Sequence, residues 1–266
     1  MGLPAVVTPS LLSAIRSYPR LPQNSWYILA ATALSTLNRP DEIPKVFQHA
    51  LEHGGGAKDV KPSQDEQLQI ARRTREALVK SAAIIGLPKT INALFALKGV
   101  TPKHLFDEPT YGKGVSPTNR TDDMYRTPVS QILQRGQSFF DQVYGKVTGR
   151  VMGQMDNSGT EDLGLLARLE YGYVLSPVGI LNAPETSYVV LASLIPQDVN
   201  PQLKGHLVGA LNNGATEEEV KAVRSVVIKV CEASGMKMLD ESSLEGWGWR
   251  DGVAPVKLPK SPDSKL

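Results

Sequence analysis

The apolar residues in the last third of the chain recur at helical spacing. After Thr216, six of them return every three or four positions and therefore share one helix face: Val220, Val223, Val226, Val227, Val230 and Cys231. Thr216 and Glu219 have the spacing of a capping box, and Gly235 predicts the end of the helix. The pattern predicts an amphipathic helix with one buried face.

Two further helices are predicted just before this one. Pro184 suits a first helical position because its missing N–H would have no partner there, and an apolar run follows from Tyr188 to Ile195. Pro196 breaks that run. Asn200-Pro201 predicts the next start, and Gly214 supplies a left-handed stop. Three helices therefore follow one another closely.

The remaining pattern is helical as well. Helical spacing covers Val129 to Val147 and Thr160 to Tyr173, whereas Thr101 to Thr127 is rich in proline and glycine and predicts an irregular connector. No long run alternates with a period of two, which is the pattern of a half-buried strand. The sequence predicts an all-α protein.

The helical unit occurs twice in a degenerate form. Arg75 to Gly86 can be laid over Arg224 to Gly235, and Ala50 to Gly54 over Ala210 to Gly214. We therefore predict an N-terminal copy (residues 1–100), a connector (101–128), a C-terminal copy (129–250) and a flexible tail (251–266). Two amphipathic helices that end in glycine also look alike without any repeat.

The two copies differ at the residues that can carry protons. In the overlay Val46 takes the place of His206, and Asn24 or Ser25 takes that of Glu185. The N-terminal copy is therefore expected to be structural. His49 lies one helical turn beyond Val46 and could substitute in part, whereas His53 beside Gly54 suits the capping of a helix end. All three of these residues lie within the predicted N-terminal copy: His49, His53 and Gly54.

Composition and charge exclude several classes of function. The chain has 266 residues, of which 41% are hydrophobic and 21% charged, and a net charge of +2, so nothing favours nucleic acid as a partner. No apolar run approaches the roughly 18–20 residues that span a membrane. Cys231 is the one cysteine in the chain, which leaves no intrachain disulfide and no cysteine-based metal site. We expect no cofactor and no metal.

The last three residues match a targeting signal. Ser264-Lys265-Leu266 is the peroxisomal import tripeptide, and the residues before it are polar and rich in proline, so a receptor could reach them. Chance is the alternative explanation for three residues in this order. We predict import into the peroxisomal matrix by the receptor that reads this tripeptide.

The segment from Tyr171 to Gly235 resembles the carboxymuconolactone decarboxylase family, whose wider superfamily includes the alkylhydroperoxidase AhpD. The residues that carry the resemblance are Tyr171-Gly172-Tyr173-Val174, Ser176-Pro177, Glu185, His206, Ala210-Leu211-Asn212-Asn213-Gly214 and Ala215-Thr216-Glu217-Glu218-Glu219. The match covers roughly a quarter of the chain. The resemblance implies an AhpD-like helical fold and a small homo-oligomer, because relatives assemble from single repeats.

The resemblance implies that Glu185 and His206 meet beside a small apolar cavity. Loss of carbon dioxide from a carboxylated lactone requires a proton donor, and an imidazole oriented by a carboxylate suits that task. We therefore predict His206 as general acid/base and Glu185 as the group that orients it or relays its proton. The alternatives are a carboxylate that favours the start of a helix and a satisfied interior histidine.

The peroxidase branch of the superfamily fits less well. Its Cys-x-x-Cys pair would fall on Val199 and Gln202, and neither is a cysteine. Two thiols are needed to form and recycle a disulfide, and Cys231 lies on an apolar helix face where we expect it to be buried and inert. Peroxidase activity is therefore the weakest of the functions considered.

Three functions from different classes stay open at this point. The leading one is acid/base catalysis on a small carboxylated or lactone-like metabolite; a non-catalytic scaffold that binds a metabolite or a partner is the second, and a peroxidase the third. A substrate carboxylate would need a cation, for which the sequence offers Arg168, Lys204, Arg224 and Arg250. Trp247 and Trp249 could cover the cavity or anchor the tail.

Overall fold

The computed structural model describes residues 4–57 and 60–237, and within these ranges every regular element is helical. The helices are α1 Pro9–Arg16, α2 Trp26–Thr36, α3 Ile43–His53, α4 Gln64–Ile85, α5 Leu87–Val100, α6 Asn119–Tyr125, α7 Val129–Tyr144, α8 Thr148–Asp156, α9 Asp162–Leu169, α10 Ala183–Leu194, α11 Asn200–Asn212 and α12 Glu217–Ala233. A π-helical turn, Glu170–Leu175, follows α9. The predicted all-α class is confirmed.

The predicted helix ends agree closely with the observed ones. The Thr216 hydroxyl accepts the Glu219 N–H while the Glu219 side chain accepts the Thr216 N–H, so the capping box before α12 is formed. Gly214 has a φ of +98°, the left-handed conformation expected after α11. A second reciprocal box, between Asn182 and Glu185, begins α10.

Helices α2 and α10 form the centre of the molecule. All residues of α2 are buried, and α10 is buried from Thr186 to Leu194, so both helices are surrounded by protein on every side. The two helices pack against each other; α4 packs against both, and α12 also packs against both. Each fully buried leucine or isoleucine in such a core contributes about 1.5–3 kcal/mol.

The packing is reciprocal between the two predicted copies. Helix α4 of the N-terminal copy contacts α10, and α12 of the C-terminal copy contacts α2. Each copy therefore completes the core of the other. This arrangement agrees with a duplicated unit, although the repeat itself stays a prediction.

The π-helical turn after α9 is held by three cations. Arg135 donates to the carbonyl of residue 172 at 3.0 Å, Arg120 to those of residues 173 and 174 at 3.1 and 2.8 Å, and Lys80 to that of residue 175 at 2.6 Å. Carbonyls at the end of a helix lack partners within it, and cations there also meet the negative end of the helix dipole. The turn is thus tied to α4, α6 and α7.

Two buried carboxylates balance these cations. Glu76 accepts two hydrogen bonds from Arg120, at 2.7 and 2.8 Å, and Asp123 accepts two from Arg135, at 3.0 and 2.6 Å. Because Arg120 and Asp123 lie on α6, this helix forms inside the segment that composition predicted as an irregular connector. Long-range ion pairs of this kind leave no local pattern in the sequence.

The same junction buries a lysine. The Lys80 side chain is 0% exposed, and its nearest carboxylate oxygen, on Glu76, is 3.7 Å away. Burial lowers the pKa of Lys80 to about 7, while Glu76 opposes that change.

No helix in the described part of the chain is both long and apolar enough to cross a membrane.

Candidate functional site

Glu185 lies at the start of α10 and contacts a residue of the other predicted copy. One carboxylate oxygen, Oε2, accepts the N–H of Asn182 at 2.9 Å and completes the capping box. The other, Oε1, accepts a hydrogen bond of 2.7 Å from Nη2 of Arg73 on α4. The two side chains are only 14% and 16% exposed, so this ion pair is largely shielded from water.

Arg73 is held from three sides. Its Nε donates to the Tyr27 hydroxyl at 2.9 Å, and its Nη2 donates to the backbone carbonyl of Asn24 at 3.0 Å as well as to Glu185. Burial raises the pKa of Tyr27, so the phenol keeps its proton. We call Asn24, Tyr27, Arg73 and Glu185 the Arg73 cluster.

Three members of the Arg73 cluster, all but Glu185, line a cavity of about 700 Å³. Its lining residues are Gln23, Asn24, Tyr27, His53, Gly54, Gly55, Gly56, Ala57, Val60, Pro62, Glu66, Gln69, Ile70 and Arg73. The loop of three glycines at residues 54–56 passes close to the cluster. A Cβ on Gly55 would overlap the side chains of Asn24 and Tyr27. The cavity is large enough for a small metabolite.

Two smaller cavities also border the N-terminal copy. One, of about 420 Å³, is lined by Arg16, His49 and His53 among others, and the two imidazole rings lie 4.3 Å apart. The other, of about 300 Å³, is lined by Arg72 and Arg75 among others. Both arginines form ion pairs with Asp107, and Arg75 also donates to a backbone carbonyl. Their positive charges are therefore already paired within the protein.

His206 lies on α11 in an aromatic cluster. Its Nε2 is 3.3 Å from the Tyr144 hydroxyl, and the two rings meet edge to face. Phe140 packs against Tyr144 and Tyr171, with ring centroids 4.4 and 4.8 Å apart. We call Phe140, Tyr144, Tyr171 and His206 the Tyr144 cluster. Burial lowers the pKa of His206 to about 4, so the neutral imidazole prevails near pH 7.

The structure therefore gives the two predicted proton carriers different partners. No hydrogen bond or ion pair joins Glu185 to His206 in the described part of the chain, and neither lines any of the three cavities described above. Glu185 meets Arg73, which is 112 residues away along the chain. Sequence reasoning missed Arg73, because no local pattern marks an arginine whose partners come from other helices.

The cations considered from the sequence have other surroundings. Arg168 makes two hydrogen bonds with Asp156, of 2.7 and 2.9 Å, and Lys204 is exposed. Burial lowers the pKa of Arg224, and its Nε has no hydrogen-bond partner among the described residues. Three residues singled out in the sequence lie outside the described ranges: Trp247, Trp249 and Arg250.

The cysteine behaves as predicted. Cys231 is buried within α12, and burial raises the pKa of its thiol, which disfavours the reactive thiolate. Among the described residues no three histidine, cysteine or carboxylate side chains converge in a way that could hold a metal ion. The import tripeptide Ser264-Lys265-Leu266 lies outside the described residues.

Two relatives resemble the chain over most of its length. A protein of Schizosaccharomyces pombe named Peroxisomal protein 2 is 36% identical over 211 residues, which cover 79% of this chain and 87% of the relative. A protein of the same name from Saccharomyces cerevisiae is 32% identical over 290 residues, which cover 93% of this chain and 97% of the relative. No family model matches the chain.

Proposed function

The chain belongs to the family of the yeast proteins named Peroxisomal protein 2 and is itself peroxisomal, and we propose that it is an enzyme. The proposed reaction is acid/base chemistry without a cofactor on a small carboxylated or lactone-like metabolite, as the resemblance to carboxymuconolactone decarboxylases implies. The substrate site is the 700 Å³ cavity beside the Arg73 cluster.

The ion pair of Glu185 with Arg73 carries this proposal. Glu185 is the acidic residue that the family resemblance marks, and its ion-pair partner Arg73 lines the largest described cavity. We propose that the carboxylate takes up and returns a proton when a metabolite binds beside Arg73 and displaces part of this ion pair. The cavity itself supplies room for a small substrate.

His206 enters the proposal as a hydrogen-bond acceptor. The neutral imidazole can accept a hydrogen bond from the Tyr144 hydroxyl, and the side chains of Tyr144 and Tyr171 are hydrogen-bonded to each other. This differs from the general acid/base role that the sequence suggested, because the acid in that role needs an imidazolium near neutral pH. We propose that His206 orients the Tyr144 hydroxyl and acts with Glu185 only in that indirect way.

The test is a metabolite-resolved turnover assay on the purified full chain. A peroxisomal metabolite extract is incubated with the protein, and compounds that disappear or form are identified by mass spectrometry. Glu185→Gln is expected to lower turnover by about 100-fold or more, the usual contribution of general acid/base catalysis. Arg72→Gln is the matched control, because Arg72 is the neighbour of Arg73 but pairs with Asp107. Equal turnover in Glu185→Gln would refute the proposal.

A second candidate is a non-catalytic protein that binds a metabolite on the same scaffold. It is favoured by the full engagement of Glu185 in a capping box and an ion pair, which are structural roles. In that case a metabolite from the extract stays bound to the purified protein and is returned unchanged. His206→Ala would then leave the retained metabolite and its affinity intact.

Import and assembly complete the proposal. We assign import to recognition of Ser264-Lys265-Leu266 by its receptor, and a fluorescent fusion without these residues should stay in the cytosol.

Four leucines on α9 support a homo-oligomer, since each is about half exposed: Leu163, Leu165, Leu166 and Leu169. Sedimentation of the wild type and of Leu166→Glu measures the assembly, and a monomeric wild type would contradict it.

A further inference from the structure

We propose that helix α5 of one molecule packs against helix α9 of a second molecule. The contact is head to tail, because the two surfaces that meet are different. This inference rests on the homo-oligomer proposed above from the leucines of α9, and it adds the surface that covers those leucines in the assembly.

Helix α5 carries apolar side chains on two of its sides. One side packs into the molecule, and its buried residues are Thr90, Ala93 and Leu97. On another side three large apolar residues, four positions apart, are exposed to 65%, 45% and 71%: Leu87, Ile91 and Phe95. A helix that is apolar nearly all round is normally covered nearly all round. In the described part of the molecule, however, this second side of α5 has no cover.

A positive charge lies at the end of this exposed row. Lys98 follows Ile91 by seven positions and Phe95 by three, which is the spacing of one helix face, and it is exposed. We call these four residues the α5 face: Leu87, Ile91, Phe95 and Lys98. The α5 face is thus an apolar row with a cation at the C-terminal end of its helix.

The exposed surface of α9 ends in the opposite charge. Glu170 lies four positions after Leu166, so it shares a helix face with the half-exposed leucines. Burial raises the pKa of the Glu170 carboxyl, and no described residue donates a hydrogen bond to it. A carboxylate that has lost water without gaining a partner is stabilised when a cation approaches it. We call these five residues the α9 face: Leu163, Leu165, Leu166, Leu169 and Glu170.

Charge favours this mixed contact over a symmetric one. If two α9 faces met, each Glu170 would enter an apolar contact without a counter-charge, and two α5 faces would do the same to each Lys98. When an α5 face meets an α9 face, the apolar rows cover each other and the two charges are opposite. Complementary charge selects the correct partner surface in this way.

Glu170 is better suited to Lys98 than the other acidic residue of α9. Asp162, at the opposite end of the helix, accepts a hydrogen bond of 2.8 Å from the Thr160 hydroxyl. Glu170 has no such donor among the described residues. Because Lys98 and Glu170 both lie at the C-terminal ends of their helices, the two helices run in the same direction in the contact.

The two faces lie on different parts of the molecule. Helix α5 packs against α3 and α4, whereas α9 packs against α7, α8 and the π-helical turn. One molecule can therefore use both faces at once, and every contact leaves one face of each kind for the next molecule. A head-to-tail contact closes into a ring where its rotation permits.

The experiment is sedimentation velocity on the full chain, with Phe95→Glu, with Leu166→Glu and with an equal mixture of the two variants. Each substitution puts a carboxylate into one apolar face, so each variant alone should be a monomer, with a dissociation constant raised about 100-fold or more. In the mixture one variant keeps its α5 face and the other keeps its α9 face. The mixture should therefore form a dimer of the 28.8 kDa chain and no larger species.

Two features of the design guard against an effect on folding. Formation of the mixed dimer requires both variants to be folded, so recovery on mixing is its own control. Gln48→Glu adds the same charge to an exposed position of α3, outside both faces, and should assemble like the wild type. Loss of assembly in Gln48→Glu would show that added charge alone disperses the molecules, which overturns the assignment.

Exchange of the two charges tests the pair at the helix ends. Lys98→Glu should raise the dissociation constant about tenfold or more, because it brings two carboxylates together. Adding Glu170→Lys to the same chain should restore assembly, since the pair then forms with its charges exchanged. A double variant as weak as Lys98→Glu alone would overturn the pairing of Lys98 with Glu170.

The outcomes separate this inference from the proposed function. A wild-type oligomer that survives Phe95→Glu but not Leu166→Glu overturns the inference, because α9 faces then pair with each other, and it leaves the homo-oligomer intact. Two monomeric variants that do not combine on mixing also overturn it. A monomeric wild type contradicts the inference and the assembly together. Turnover of a metabolite does not enter the test, so the enzymatic proposal can fail while the inference holds.

Discussion

The two predicted copies differ in what each would contribute to the proposed site. The N-terminal copy borders all three described cavities but has Val46, buried among apolar side chains, where the C-terminal copy has His206. The C-terminal copy has both predicted proton carriers, yet neither lines any of the three described cavities. Glu185 and Arg73 form an ion pair between the two predicted copies. The residues that the sequence marks and the residues that line the described cavities therefore lie in different halves of the chain.

The partners of Glu185 and His206 sharpen this contrast. Glu185 lies in an ionic environment that reaches across to α4, whereas His206 lies among aromatic rings that belong to its own copy. The first environment favours charge and the second disfavours it. Three measurements test this difference between the two environments.

The largest effect is expected from the pH dependence of stability at His206. Its pKa is lowered from 6.5 to about 4 by burial, so the unfolded chain binds a proton more readily than the folded one between these values. Because the His206 side chain is only half-buried, the free energy of unfolding should fall by at most about 3 kcal/mol as the pH drops from about 6.5 to about 4. Urea unfolding across this range measures it.

His206→Gln serves as the control, because glutamine can still bond Tyr144 but does not titrate. Its free energy of unfolding should be less dependent on pH over the same range than that of the wild type. Parallel pH profiles for wild type and His206→Gln would show that the histidine is not enclosed, and the contrast between the two copies would fail at this point.

A smaller effect is expected from the link between the copies. Arg73→Gln and Glu185→Gln, measured singly and together, form a double-mutant cycle for an ion pair whose side chains are 14% and 16% exposed. We expect a coupling of about 2 kcal/mol in the free energy of unfolding. For comparison, Arg126 and Asp122 form an ion pair with exposed side chains, and their coupling should be below about 1 kcal/mol.

The smallest effect concerns the two capping boxes of the C-terminal copy. Asn182→Ala and Thr216→Ala should each lower the free energy of unfolding by about 1 kcal/mol, because each removes one helix cap. Asn182→Ala alone should also lower the turnover of the metabolite, since the Asn182 side chain caps the start of the helix that carries Glu185. Equal turnover in both variants would mean that this cap does not position Glu185 for the proposed reaction.

The sequence predicted the local features and missed the distant ones. The Thr216 box, the Gly214 stop and the burial of Cys231 depend on neighbours in the chain or on helix periodicity, and the structure confirms each. The partner of Glu185 is Arg73, 112 residues away, and only packing of α4 against α10 brings them together. The place of the cavity likewise depends on how loops and helices meet.

The π-helical turn also combines a local feature that the sequence marks with distant contacts that it does not. Its sequence marks the family resemblance at Gly172, and the structure gives the physical reason, because a Cβ on Gly136 would collide with the backbone of Gly172. The glycines let α7 and the turn touch backbone to backbone. Nothing local, however, indicates that Lys80, Arg120 and Arg135 would hold the carbonyls there.

The reciprocal packing of α4 on α10 and of α12 on α2 has a consequence for how the chain can be divided. A fragment cut at the connector would expose to water the apolar surface that the missing half covers. Two such fragments should stay insoluble apart and recover structure on mixing. Each half can change in sequence by itself, but neither half can be lost, because each covers the apolar surface of the other.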